Sequence, residues 1–197
     1  MIIRFFDILF SLLGLIILLP FLIVVSILIL LSSKGSIFFI QERIGKNGKP
    51  FKLVKFRSMR TSHDNQQLIT VGDDPRITPV GKLIRKYKID ELPQLYNVLR
   101  GEMSIVGPRP EVPKYVDLYT TLQKRVLSIK PGLTDYASIR YIDENKVLAK
   151  SNDPERTYIN VIIPEKIRYN IKYIEHQSVK EYFKIIFLTI SRIFSSF

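Results

Sequence analysis

The apolar positions of the chain fall into three patterns. Residues 8–31 are almost unbroken Leu, Ile, Val and Phe and carry no charge. About 24 residues at 1.5 Å each give a helix of roughly 36 Å, enough to cross a bilayer. The run has no polar face, which argues against a buried core helix. Leu30-Leu31-Ser32-Ser33 offers no convincing small-residue cleavage site, which argues against a signal peptide. Pro20 sits mid-run, where it removes a helical hydrogen bond and crowds the preceding turn. Two outcomes are open: a straight span with a mild kink, or a helix-break-helix that returns to the side it came from. Arg4 precedes the run and Lys34 follows it, so charge does not choose between them.

The second pattern is β-like. Residues 36–40 and 51–56 are rich in Phe, Ile, Leu and Val, and Gly45-Lys46-Asn47-Gly48-Lys49-Pro50 lies between them as the turn of a hairpin. Lys52, Lys55 and Arg57 line the second strand. They form either a solvated face or a contact for phosphates or lipid headgroups. Residues 61–68 are polar and read as a loop, and residues 73–79 are rich in turn formers.

The third pattern has helical spacing. Thr78 caps and Pro79 opens a helix with Val80, Leu83, Ile84 and Tyr87 on one stripe. Residues 113–129 read as helical and Lys130-Pro131-Gly132-Leu133-Thr134 as a turn. Residues 135–141 read as a short strand or an irregular wall. A helix begins at Pro164 and another spans 178–194. The last has Tyr182, Phe183, Ile186 and Ile190 apolar against Lys180, Lys184 and Arg192, suiting either core packing or the membrane interface.

Residues 82–110 hold the candidate chemistry. Asp90 and Glu91 are adjacent, with Arg85, Lys86 and Lys88 close by, and Gly107-Pro108-Arg109-Pro110 follows. Paired carboxylates among cations can hold Mg²⁺ and attack a phosphate. A structural alternative stands beside this: Asp90 as the N-cap of a helix that ends near Gly101.

Composition narrows the partners. The 197 residues carry a net charge of +12, with a pI near 9.8, and suit one domain with a membrane element. Dispersed basic charge points to an anionic partner. There is no Cys, so no disulfide and no thiol nucleophile, and only two His, which disfavours a His-rich zinc site. No Walker loop, Gly-x-Gly-x-x-Gly or nucleophile elbow is present. Nucleic-acid binding would explain the charge alone, since no recognition motif supports it. A non-enzymatic basic membrane module would explain the charge and the apolar run but not the acid pair.

Five stretches resemble one family in order and over nearly the whole chain. They are the apolar run with Pro20; Phe51-Lys52-Leu53-Val54-Lys55-Phe56-Arg57-Ser58-Met59; Asp74-Pro75-Arg76-Ile77-Thr78-Pro79-Val80-Gly81; Asp90-Glu91-Leu92-Pro93-Gln94-Leu95-Tyr96-Asn97-Val98-Leu99; and Met103-Ser104-Ile105-Val106-Gly107-Pro108-Arg109-Pro110. The chain resembles the small monotopic phosphoglycosyl transferases among the bacterial sugar transferases. The resemblance implies an α+β, helix-rich fold: a re-entrant membrane helix hairpin (residues 1–33) broken at Pro20, and a cytoplasmic catalytic domain (residues 34–197) with a small β-hairpin and interfacial helices. It implies transfer of a sugar 1-phosphate from a nucleoside diphosphate sugar, UDP-linked by expectation, to polyprenyl (undecaprenyl) phosphate. The setting is the cytoplasmic face of the bacterial inner membrane, and the product feeds surface glycan assembly. Asp90 falls on the family's nucleophile and Glu91 on its Mg²⁺ ligand. Arg85, Arg109, Lys55, Arg57 and Arg140 are expected at substrate phosphates. Many relatives carry Gly-Leu-Thr-Gly-Trp with a later Arg. Here Gly132-Leu133-Thr134 continues as Asp135-Tyr136 and Ile142 occupies the later position; either Arg140 substitutes for that Arg or the segment meets a different sugar nucleotide.

Overall fold

A computed structural model describes residues 1–60, 69–72, 74–141 and 144–195. The loop expected at 61–68, Asp73 and Ile142 lie outside the described residues. The fold is helix-rich α+β. A long helix, α1 (Ile2–Ser32), leads into an antiparallel hairpin of β1 (Phe38–Ile44) and β2 (Pro50–Phe56). Next come α2 (Pro79–Lys86), α3 (Gln94–Arg100), β3 (Ser104–Val106), α4 (Pro113–Val116) and β4 (Gly132–Thr134). Five helices follow: α5 (Tyr136–Arg140), α6 (Glu144–Ala149), α7 (Pro154–Thr157), α8 (Ile163–Glu175) and α9 (Val179–Ser195).

By length and composition α1 can cross a membrane, and only 11% of its most apolar stretch is buried, unlike a core helix. α1 runs as one helical segment with Pro20 inside it, and the re-entrant break expected there is not shown. Proline forfeits a single N–H and crowds a single carbonyl, and the Leu- and Ile-rich turns on either side keep their own hydrogen bonds. Both halves of α1 nevertheless bear on the same body. Near the start, Arg4 donates to the carbonyls of Val98 (2.5 Å) and Leu99 (2.8 Å). Asp7, 2% exposed, accepts on one oxygen from Ser104 Oγ, the Ile105 amide and the Tyr182 hydroxyl, each at 2.9 Å. Toward the end, Val25 and Ile29 pack with Phe56 of β2 and Ile84 of α2.

The hairpin follows its alternation: the register pairs Phe38 with Phe56 and Ile44 with Pro50 across the turn at Lys46–Gly48. In α2, Thr78 Oγ1 accepts from the Gly81 amide at 2.9 Å, with Pro79 at the first position. Asp90 does not cap α3; Pro93 stands there, and Asp90 belongs to a preceding 3₁₀ turn (Ile89–Glu91). Gly101 ends α3 in the left-handed conformation.

Three further expectations are corrected. Residues 132–134 are a strand, β4, parallel to β3. Residues 136–140 form a helix because Asp135 caps it, accepting from the Ser138 amide at 2.5 Å. Residues 113–129 are divided between α4 and a 3₁₀ segment (Gln123–Ser128). α9 packs on the core through Tyr182 and Ile185 and leaves Phe187 and Ile190 open. The largest apolar core joins Val112, Tyr115, Val126, Leu148, Ile162 and Ile167.

Candidate active site

The acid pair sits at a tight corner. α2 ends at Lys86, and Lys88 adopts φ 57°, ψ 19°, a left-handed conformation uncommon for a side chain of its size. That reversal turns Asp90 and Glu91 inward, where they are 7% and 9% exposed. Glu91 is fully engaged. Arg109 donates to both of its oxygens, at 3.1 Å from Nη1 to Oε2 and more closely from Nη2 to Oε1, and Lys55 Nζ stands 3.7 Å from Oε1. Asp90 is the opposite: its Oδ1 is buried and makes no hydrogen bond among the described residues.

The electrostatics separate the pair. Burial pushes the Asp90 carboxyl above the ordinary range, and the charge of Glu91 adds to this, against the pull of Lys55, Arg85 and Lys88. Burial acts on Glu91 too, but Arg109 and Lys55 outweigh it and hold Glu91 well below the usual carboxylate range. Burial brings the Lys55 ammonium down to about 8, although Glu91 pulls it up. Glu91 holds the Arg109 guanidinium firmly charged against its burial.

The Arg109 turn is braced from several sides. The Gly107 amide donates to the Thr134 carbonyl at 3.0 Å and the Gly132 amide to the Pro108 carbonyl at 2.9 Å. A Cβ on Gly132 would lie 2.1 Å from the Gly107 nitrogen, so only glycine permits this approach. Asp135 Oδ2 accepts from the Arg109 amide at 3.2 Å. From β1, Arg43 donates to the Pro110 carbonyl at 3.0 Å and pairs with Glu111 at 3.6 Å, and Tyr158 also donates to Glu111. Sequence reasoning did not single out Arg43, Lys88, Glu111, Asp135 or Tyr158 for these roles. Only Asp135 carried a local sign, as a cap ahead of a short apolar run.

The expected phosphate contacts divide. Lys55 and Arg109 meet at Glu91. Arg85, in the last turn of α2, is near enough for its charge to act on Asp90. Arg57 is turned away: it is 4% exposed, and its guanidinium donates to the carbonyls of Ser33 (2.6 Å) and Lys34 (2.9 Å) at the end of α1. It also donates to the Ile29 carbonyl in the last turn of α1 at 3.4 Å, so it braces the end of that helix, whose last carbonyls lack partners in the helix. Arg140 ends α5 with an exposed side chain and no contact with the pair.

Chemically, a buried carboxylate oxygen without a donor can serve as a ligand for a hard cation or as a nucleophile. Among the described residues no three Asp, Glu, His or Cys side chains cluster. Two carboxylates nevertheless suit Mg²⁺, which fills the rest of its octahedron with water and substrate phosphate.

The chain is similar to known proteins over much of its length. The chain is 38% identical over 192 residues to a UDP-glucose:undecaprenyl-phosphate glucose-1-phosphate transferase of Klebsiella pneumoniae, covering 95% of this chain and 39% of that one. It is 44% identical over 147 residues to the exopolysaccharide production protein ExoY of Sinorhizobium fredii, covering 66% and 65%. It is 34% identical over 200 residues to a UDP-N-acetylgalactosamine-undecaprenyl-phosphate N-acetylgalactosaminephosphotransferase of Aeromonas hydrophila, covering 98% and 44%. The chain thus spans less than two thirds of each of these relatives. The model of the bacterial sugar transferase family matches residues 1–196. With the match running from end to end and the acid pair within it, the chain belongs to the bacterial sugar transferase family.

Proposed function

We propose that this protein transfers a sugar 1-phosphate from a nucleoside diphosphate sugar, UDP-linked as in the names of its relatives, to undecaprenyl phosphate. The observation that carries the proposal is the asymmetry of the acid pair: Glu91 locked by Arg109 and Lys55, Asp90 Oδ1 buried and open. Arg109 and Lys55 present positive charge where a diphosphate must lie, and Arg85 adds to it. Asp90 Oδ1 attacks the sugar-bearing phosphorus. A bond forms between them, the bond to the bridging oxygen breaks, and the nucleoside monophosphate leaves with the electron pair. An oxygen of the polyprenyl phosphate then attacks the same phosphorus, and the acyl-phosphate bond breaks back to Asp90. Each substrate uses the pocket in turn, as in a ping-pong scheme.

Glu91 is the residue that would hold Mg²⁺ beside Asp90, through the lone pairs that Arg109 and Lys55 leave on its oxygens, so that Asp90 Oδ1 stays open for the attack. When bound, the ion neutralises diphosphate charge and favours the ionised form of Asp90.

Residues 1–33 serve as the membrane segment, re-entrant about Pro20, with residues 34–197 as the catalytic body on the cytoplasmic face of the inner membrane. The packing of both halves of α1 on one body supports re-entry, as does the exposure of most of residues 12–24. Ile89, next to Asp90, packs in the cluster that contains Val25 and Ile29 of α1, so the pair is held close to the membrane segment.

The test is to incubate the purified protein with labelled sugar nucleotides, Mg²⁺ and undecaprenyl phosphate. The expected products are nucleoside monophosphate and a lipid-linked diphosphate sugar. Release of nucleoside diphosphate, or no release with any donor, would overturn the proposal.

A further inference from the structure

Three large apolar residues open β1, and they are exposed: Phe38 by 44%, Phe39 by 43% and Ile40 by 57%. Successive strand side chains point to opposite faces, so the exposure is two-sided. Among the described residues the hairpin sheet has two strands, and none of them adds a third to the outer edge of β1. In water, a two-sided apolar edge invites aggregation. Further along, β1 changes character: Gln41 and Arg43 are half-buried and Glu42 is exposed. The strand is therefore apolar at one end and polar at the other over roughly 20 Å.

The apolar end is the one beside α1. Phe38 stacks on Phe56 with ring centroids 5.5 Å apart, and Phe56 packs against Val25 and Ile29. Arg57, just after β2, fastens that strand to the Ser33 and Lys34 carbonyls that follow α1. The apolar surface of α1 thus continues onto β1, with Lys34 between them.

We propose that the start of β1, residues 38–40, is seated in the acyl boundary of the bilayer that holds α1, with Lys34 at headgroup level. This rests on the reading of α1 as a membrane segment. A second copy of the chain is a poorer occupant, because a stable dimer needs about 800 Å² per partner, more than a three-residue strip supplies. The seat bears on the chemistry. Phe39 lies opposite Lys55 in the register, hence on the same face, and Lys55 pairs with Glu91. The depth of β1 therefore sets the height of the acid pair above the lipid.

The sequence contains no Trp, so one introduced Trp reports alone. Ile40→Trp and Phe38→Trp, in the full chain in lipid nanodiscs, are compared with Ile17→Trp in α1. Val161→Trp is the control, exposed by 54% beside a core that contains no residue of α1. Acyl-brominated lipid is the quencher. The expected result is blue-shifted, quenched emission at positions 17, 38 and 40 and none at 161. Quenching at 17 alone would overturn this seat and leave α1 in the membrane. No quenching at 17 would overturn the membrane reading and this inference with it. Emission at position 40 that responds to the number of copies per disc instead of to bromine would assign the strip to a second copy and overturn the seat. If a Trp variant melts early, a nitroxide on Ile40→Cys decides the same question: greater access to oxygen than to a polar nickel chelate supports the seat, and the reverse overturns it.

Discussion

Two buried aspartates define two kinds of site. Asp7, in the second turn of α1, receives three hydrogen bonds on one oxygen, from a serine, a tyrosine and a backbone amide. Asp90, in the 3₁₀ turn after α2, has one oxygen buried with no donor among the described residues. Both are withdrawn from water, yet one is satisfied by the fold and the other is left for something else. A satisfied buried carboxylate stabilises its surroundings, and an unsatisfied one keeps its lone pairs for a reaction or a ligand. Burial alone does not distinguish structure from function; the donors do.

The sharpest way to break this comparison is Asp90→Asn. An amide is a poor nucleophile, so turnover and any covalent phosphosugar adduct should fall by at least about a thousandfold. Tm should stay within about 2 °C, because Oδ1 has no bond to lose. Normal release of nucleoside monophosphate by this variant would erase the distinction. The counterpart is Asp7→Ala, which strands three donors and should cost about 3 kcal/mol, seen as a drop of roughly 6–12 °C in thermal unfolding. Activity per folded molecule should survive; unchanged stability would refute the clamp.

Two cations extend the contrast. Arg57 is anchored to carbonyls through both Nη atoms, although its buried Nε has no partner among the described residues, so Arg57→Ala should lose about 2 kcal/mol and leave the donor KM unchanged. Arg109→Ala should raise that KM about tenfold or more. Equal effects on KM would return Arg57 to the phosphate site. The smallest expected change is Lys88→Gly. Relief of the left-handed backbone should gain about 0.5–1 kcal/mol in denaturant titration. A loss of stability would show that the corner is unstrained.

How much of the molecule is legible in its sequence depends on the range of the signal. The hairpin, the Thr78 cap, the Gly101 stop and the last two helices are legible because each is written in neighbouring residues. β3 and β4 are hidden: strands of three residues have no periodicity to read, and a turn-like Lys-Pro-Gly opens the second. The division of residues 113–129 carries a subtler sign. Thr120 and Gln123 cap each other's amides, at 2.8 and 3.3 Å, and restart the chain. Asp90 and Glu91 stand out as an acid pair among cations, Lys55 by its place on a basic strand and Arg109 through the resemblance, and the structure brings them together. Arg57 misleads because its basic strand pattern fits a phosphate contact equally well, while its true partners lie 23 and 24 residues earlier. Arg43 and Glu111 escape notice for the same reason, their partners being distant in the chain.

The Asp7 clamp also carries a timetable. Its tyrosine partner, Tyr182, comes 175 residues later. At about 5–20 residues per second, a ribosome needs roughly 9 to 35 s to travel from one to the other. Once residue 32 is made α1 is complete, but for most of that interval the hydroxyl that completes its anchor does not exist. On the proposed reading of α1 as a membrane segment, the helix enters the lipid before its clamp is complete, and the rest of the fold closes onto it only when α9 emerges. Shortened chains that stop before Tyr182 would keep the greasy segment but lack its lock, making them ready substrates for quality-control proteases.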